Sequence, residues 1–475
     1  MNIFLDFIIK VGIVWVIFFV IMKILEKRFR SSLLKFLETH SISIQLFHIG
    51  WSTTRMNQSI MRLALKFEKF WIPWFKVGSW VTLALLPLSI GLLVYNLVLI
   101  YFQPHEEPII SPIVPGVNVK SKDTLYLYLS IMISMVFHEL GHALASYVCR
   151  CKINSIGFFF IYILPGASVN MDYEELHKSG LWDRLKIYTA GVWHNTVLCI
   201  IGYLLLCTTP ILLSPLYYFS NNQLYVTFVP EHSPLVNSLS IGDEILSINE
   251  CNVFNRTSLI DCIYKELDQP KAYCINQETM NCINNLIKSN HTEMLGGCFD
   301  YSQVSTMMKC DPTSVVDKCQ KYTKSCVNFD AFQYHVFNLR VKGQDFDSIE
   351  SLSFLGTAQQ LWDSFEANNY RLRFNTYKSR LARLSYLDLP YHLYQFFGYL
   401  IPVSAGLGVF NVISIYGLDG EYILDTLISL ILVGFSRTPR ESKEKFKAIF
   451  LKYFIISCTT LFSFTILYSY YNILI

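Results

Sequence analysis

The sequence predicts a polytopic α-helical membrane protein: about six transmembrane helices of roughly 20 residues each, further re-entrant segments, and a cysteine-rich domain outside the membrane. Three observations predict this. The 475 residues are 52% hydrophobic and only 16% charged, against about 25% charged in an ordinary soluble protein. The apolar residues arrive in blocks long enough to cross a bilayer. Eight of the 13 cysteines fall in one polar stretch, Cys251 to Cys326. Soluble and disordered classes are excluded. The net charge of +3, from 39 basic and 36 acidic residues, is too balanced for a nucleic-acid partner.

The spans follow from the uncharged runs. Residues 11–22 extend into a first span of 3–25, with Lys10 able to snorkel to the interface. No small-residue cleavage site follows, so the run reads as a retained anchor and not a signal peptide. Residues 77–104, 124–149, 187–217, 389–418 and 453–475 give five more, the run at 124–149 interrupted only by His138, Glu139 and His142. Residues 153–171 are uncharged but carry Gly157, Pro165 and Gly166, which suits a re-entrant hairpin packed against protein. Residues 422–436 are short and contain Asp425, so they read as re-entrant or interfacial.

An even, dense group of cysteines reads as a disulfide framework in an oxidising compartment. Zinc binding is the competing reading, but no CxxC pair occurs in the group. Two glycosylation sequons, Asn255-Arg256-Thr257 and Asn290-His291-Thr292, fall in the same stretch and agree on the compartment. With residues 220–388 lumenal, parity along the spans places the basic segment 26–76 and the basic run 437–447 in the cytosol, as the positive-inside rule asks. Within the lumenal part, Ser233-Pro234-Leu235, Leu239, Gly242-Asp243-Glu244-Ile245 and Ile248-Asn249 resemble a PDZ domain with a cysteine-rich insertion. Alternation of Ile245, Ser247 and Asn249 with Leu246 and Ile248 predicts a half-buried strand there.

The chemistry concentrates in His138-Glu139-Leu140-Gly141-His142. Positions i and i+4 of a helix lie on one face, so two imidazoles can ligate one metal while Glu139 projects beside it as a general base. Ionisable residues at membrane depth are costly and by default functional. A catalytic zinc wants three protein ligands and one open position. Asp419, at the end of a run of 30 residues without an acid, is the best third ligand. Asn195 in the span 187–217 reads as a hydrogen-bonding cross-link between helices, and His194 beside it as structural.

These motifs together resemble the site-2 protease family of intramembrane zinc metalloproteases, its eukaryotic members in particular. The matching pieces are His-Glu-Leu-Gly-His at 138–142, Leu-Pro-Gly-Ala at 164–167, Ala-Gly-Val-Trp-His-Asn at 190–195, Gly-Leu-Asp-Gly at 417–420 and Phe47-His48-Ile49-Gly50-Trp51. They stand in family order and cover most of the chain. The resemblance implies Zn2+ on His138, His142 and Asp419, water activation by Glu139, and substrate binding by Asn195. Many members carry Asn-Pro-Asp-Gly at the third ligand, where this chain reads Gly417-Leu418-Asp419-Gly420. The resemblance implies that the hairpin at 153–171 captures an unwound substrate by strand addition, while a packing hairpin that closes the bundle fits the sequence equally.

The expected organisation is therefore an N-terminal membrane part with its basic segment (1–121), a catalytic membrane core (122–219), the lumenal domain (220–388) and a C-terminal membrane region with the third ligand (389–475). By resemblance, substrates are single-pass or hairpin membrane proteins such as membrane-anchored transcription factors, met in the bilayer of the Golgi or endoplasmic reticulum. The alternative is a catalytically silent PDZ-containing membrane chaperone or trafficking factor. Its signature would be loss of Glu139 or of a ligand, and all four residues are present. A membrane zinc protease acting on soluble or lipidated peptides should supply a downstream Glu ligand, and none occupies a matching span.

Overall fold

The computed structural model of the chain describes residues 2–103, 108–110, 113, 119–267, 272–288, 309–310, 319, 324–328, 335–343, 349–373, 388–435 and 439–474. It divides into two units, Met1–Cys207 with His392–Ile475, and Thr208–Tyr391.

The first unit opens with helices α1 (Asn2–Arg28) and α2 (Arg30–Thr39), strands β1 (Ile42–Gln45) and β2 (His48–Thr53), and helices α3 (Arg55–Lys66) and α4 (Glu68–Phe102). It continues with α5 (Thr124–Val148), the hairpin β3 (Ile153–Ile161) and β4 (Leu164–Met171), the short α6 (Tyr173–Lys178) and α7 (Leu181–Leu213). Among the described residues, five helices are long and apolar enough to span a bilayer: Glu68–Phe102, Ser121–Val148, Leu181–Leu213, Leu389–Val412 and Arg440–Asn472. The chain is a polytopic membrane protein. The first expected span lies in α1, a helix of 27 residues.

Large apolar side chains such as Val77, Trp80, Leu88, Ile211 and Leu212 are exposed along α4 and α7, as the solvent-facing side of a helix in lipid requires. Inward faces carry small or polar contacts instead. Ser79 of α4 meets Thr189 of α7 at 3.0 Å between hydroxyl oxygens. The core beneath joins Ile60, Ala64, Phe75, Ala143, Leu144, Ile156, Ile187 and Ala190.

The uncharged stretch 153–171 is a hairpin, and it belongs to a four-stranded antiparallel sheet in the order β1-β2-β3-β4. The sequence reading had left β1 and β2 inside a basic segment. They are recruited because Ile42, Ile44, Ile49 and Trp51 alternate with polar residues and Trp51 stacks on Phe158, with ring centroids 5.9 Å apart. The two turns, at Phe47 and Tyr162, are held together by a Tyr162 N–H to Phe47 O bond of 2.8 Å and by Trp15 of α1, whose Nε1 donates to Tyr162 O at 2.9 Å.

The second unit holds β5 (Tyr217–Phe219), β6 (Leu224–Phe228), β7 (Glu244–Ile248), β8 (Cys251–Asn252), α8 (Arg256–Leu267), β9 (Ala272–Ile275), α9 (Gln277–Lys288), β10 (Lys309–Cys310), β11 (Ser325–Asn328), β12 (His335–Lys342), β13 (Ile349–Gly356), α10 (Ala358–Ser364), β14 (Glu366–Asn368) and β15 (Tyr370–Leu372). One sheet runs β13-β12-β7-β6-β14, with β8 on β7. Val226, Ile245, Ile248, Phe337, Leu339, Val341 and Phe354 form its core with α8 and α10. The strand expected around Ile245 ends at Ile248. Asn249 turns away with φ +53° and accepts the Asn338 N–H on its Oδ1 at 2.8 Å. Disulfides join Cys251 to Cys262, Cys274 to Cys319 and Cys310 to Cys326. Cys282 is disulfide-bonded as well. The sequon at Asn290 lies outside the described residues.

The first unit closes with α11 (Leu389–Val412, which begins at the end of the second unit), α12 (Asp419–Val433) and α13 (Arg440–Leu474). The span expected to run to 418 stops at Val412. Residues 413–418 leave the helix, with Ile415 N–H on Ile413 O at 2.7 Å and Gly417 at φ +83°. The segment 422–436, read as re-entrant or interfacial, falls mostly within α12, which at 15 residues is shorter than the roughly 20 a crossing needs.

Candidate metal centre

His138 and His142 stand one turn apart on the buried face of α5, and each is 5% exposed. Asp419 opens α12, in the first turn, where the helix dipole favours a negative charge. The start of α12 can lie under the broken end of α11 because residue 420 is glycine: a Cβ there would run into the carbonyl oxygens of Val412 and Ile413. That approach brings Asp419 Oδ2 to 3.0 Å from His138 Nε2 and 3.1 Å from His142 Nε2. The two Nε2 atoms are themselves 3.1 Å apart.

Three acceptor atoms thus converge on one point. Ligands about 2.0–2.1 Å from a tetrahedral zinc stand roughly 3.3–3.4 Å from one another, so the triangle suits a small divalent ion after opening by a few tenths of an ångström. The space around it is kept clear by Gly191 of α7, where a Cβ would sit 2.5 Å from His138 Nε2 and closer still to His142 Nε2. The donor set is two imidazoles and a carboxylate, the chemistry of a zinc site with an open position. The residues present fit the metal.

Glu139 points off the same turn of α5 and faces the backbone amide of Val169 in β4. It is half-buried and absent from the triangle of donors. Asn195 is fully buried, with its amide nitrogen 3.1 Å from His138 Nδ1. The structure therefore brings all five residues singled out in the sequence to one place. His194 is apart from them: its Nδ1 donates to Phe137 O at 3.1 Å, among the rings of Trp71, Trp74, Phe75 and Phe137.

Sequence reasoning missed two contributors. Ile187 offers its carbonyl oxygen to His142 Nδ1 at 2.8 Å, and a backbone acceptor leaves no mark on residue type. Gly191 lay inside the Ala-Gly-Val-Trp-His-Asn motif but had no assigned role.

Two imidazoles and a carboxylate beside a glutamate that stands outside the donor triangle, in a polytopic membrane protein, are the makings of a membrane metallopeptidase. The family model of peptidase family M50 matches residues 126–457. The chain belongs to that family, which includes the site-2 proteases. A relative from Arabidopsis thaliana, described as a membrane-bound transcription factor site-2 protease homolog, is 32% identical over 208 residues. That match spans 42% of this chain and 39% of the relative's own length.

Proposed function

We propose that the chain is an intramembrane zinc endopeptidase that cuts transmembrane helices of membrane-anchored proteins, transcription factors among them. The observation that carries this reading is the convergence of His138, His142 and Asp419 beside Glu139, next to the edge strand β4. His138, His142 and Asp419 would hold the ion. When bound, zinc polarises the scissile carbonyl and makes a bound water more acidic. Glu139 takes a proton from the attacking water and gives it to the leaving nitrogen.

A substrate helix hides its peptide bonds in its own hydrogen bonds and must be opened first. The sheet supports a way to hold it open, since β4 is an edge strand. Register pairs Val169, Ala167 and Pro165 with Ile156, Phe158 and Phe160. Pro165 has no N–H to give β3, so amides of this parity point outward, and that of Val169 faces Glu139. A substrate segment added along this edge runs past the catalytic base.

The remaining expectations join the proposal. The second unit is a lumenal PDZ-like domain, supported by its five-strand path flanked by α8 and α10. Its disulfides support an oxidising compartment of the secretory pathway. The name of the Arabidopsis relative supports transcription-factor substrates. Purified wild-type protein and Glu139→Gln, reconstituted with a single-pass substrate, test the reading. Cleavage within the substrate's span by wild type alone supports it, and equal cleavage or none by both overturns it.

A further inference from the structure

The two histidines are braced by one face of α7. Ile187, Gly191 and Asn195 follow at i, i+4 and i+8 and so stand in one row. Ile187 presents its carbonyl to His142, Gly191 leaves the gap for both Nε2 atoms, and Asn195 reaches His138. A ring nitrogen that binds a metal must keep its lone pair, so the other nitrogen of the neutral imidazole carries the hydrogen. His142 meets this condition by donating Nδ1–H to Ile187 O at 2.8 Å. His138 needs an acceptor at its own Nδ1, and the group there, at 3.1 Å, is the Asn195 amide.

With the amide nitrogen turned to the ring, two donors face each other and Asn195 Oδ1 is left buried without a partner. A side-chain amide fits its space in two orientations, and the hydrogen-bond network chooses between them. Turning it by half a revolution gives the ring hydrogen an acceptor. We infer that Asn195 is a positioning residue whose Oδ1 accepts the Nδ1–H of His138, holding that ring with its Nε2 lone pair toward Asp419. The inference rests on the metal reading above. Its burial agrees: Asn195 is 0% exposed, and its backbone carbonyl accepts from Ser404 Oγ at 3.0 Å. Outer partners of ligand histidines raise ligand basicity and typically account for 10–100-fold in metal affinity.

Asn195→Asp and Asn195→Leu separate an acceptor from a donor. Aspartate keeps the acceptor and has no N–H, whereas leucine has neither. Zinc content and zinc affinity by chelator competition are measured on purified full-length wild type and both variants, with KM on a reconstituted substrate. The expected result is a loss of about 10–100-fold in zinc affinity for Asn195→Leu and wild-type or tighter binding for Asn195→Asp. Unchanged zinc in both variants with a raised KM would make Asn195 a substrate donor and overturn the inference. Loss of zinc in Asn195→Asp overturns it too, and this arm stands even where the leucine variant fails to fold. A wild-type protein without affinity for zinc brings down the metal reading itself, which the other outcomes leave in place.

Discussion

Asp419 and Asp425 share one helix and differ in what surrounds them. Asp419 Oδ2 lies between two imidazole nitrogens at 3.0 and 3.1 Å. Asp425 is 39% exposed at its side chain and pairs with Lys447 of α13 at 2.7 Å. An exposed pair of that kind is worth about 0–1 kcal/mol. Asp419→Asn is therefore expected to lose bound zinc, and Asp425→Asn to keep it, in metal analysis of the purified proteins. The opposite pattern would show that the third ligand is misassigned. Glu139→Gln should lower cleavage by about 100-fold or more with metal content unchanged, because Glu139 stands outside the donor triangle. Gly191→Ala fills the space against both Nε2 atoms and should empty the site of metal. Gly398→Ala, where an added Cβ meets nothing within 4 Å, should not.

At the scale of elements, the position of β4 at the edge of its sheet makes a sharper claim than the hairpin alone. Val169→Pro removes the amide that faces Glu139 and leaves the side chain apolar. Substrate cleavage should fall by at least tenfold at unchanged zinc content, and an undiminished kcat/KM would remove β4 from the substrate path. The hairpin was legible in the sequence because Gly157, Pro165 and Gly166 interrupt an apolar run, and the HExxH helix because its spacing is local. The union of β2 with β3 was not, since His48 pairs with Ile161 across more than a hundred positions and strand preference depends on such neighbours. Nor was the break after Val412 legible. It depends on Gly420 fitting beneath two carbonyls of the preceding helix, a contact that apolarity alone does not encode. Asp419 was singled out by its chemistry as the end of a long span, whereas that helix stops at Val412 and Asp419 opens the next one.

For the whole molecule, topology is the property that every other reading depends on. In the proposed topology the spans Leu181–Leu213 and Leu389–Val412, which flank residues 214–388 in the sequence, meet that stretch on the lumenal side. α12 is shorter than a crossing needs, so the same proposal assigns the basic start of α13, with Arg440, Lys443, Lys445 and Lys447, to the cytosolic side. The same parity gives Arg150 and Lys152, after α5, to that basic side. Positive charge marks the cytosol, and disulfides mark the lumen. Asn255 then offers a direct check. It is exposed just before α8, and its Oδ1 accepts the Ser258 N–H at 2.8 Å. Digestion with an N-glycosidase should increase gel mobility, and Asn255→Gln should remove that sequon's share of the shift. An epitope placed beside Asn255 should be reached by antibody only after the internal membranes are opened. Labelling from the cytosol in intact organelles would invert the proposed topology and end the case for a lumenal second unit.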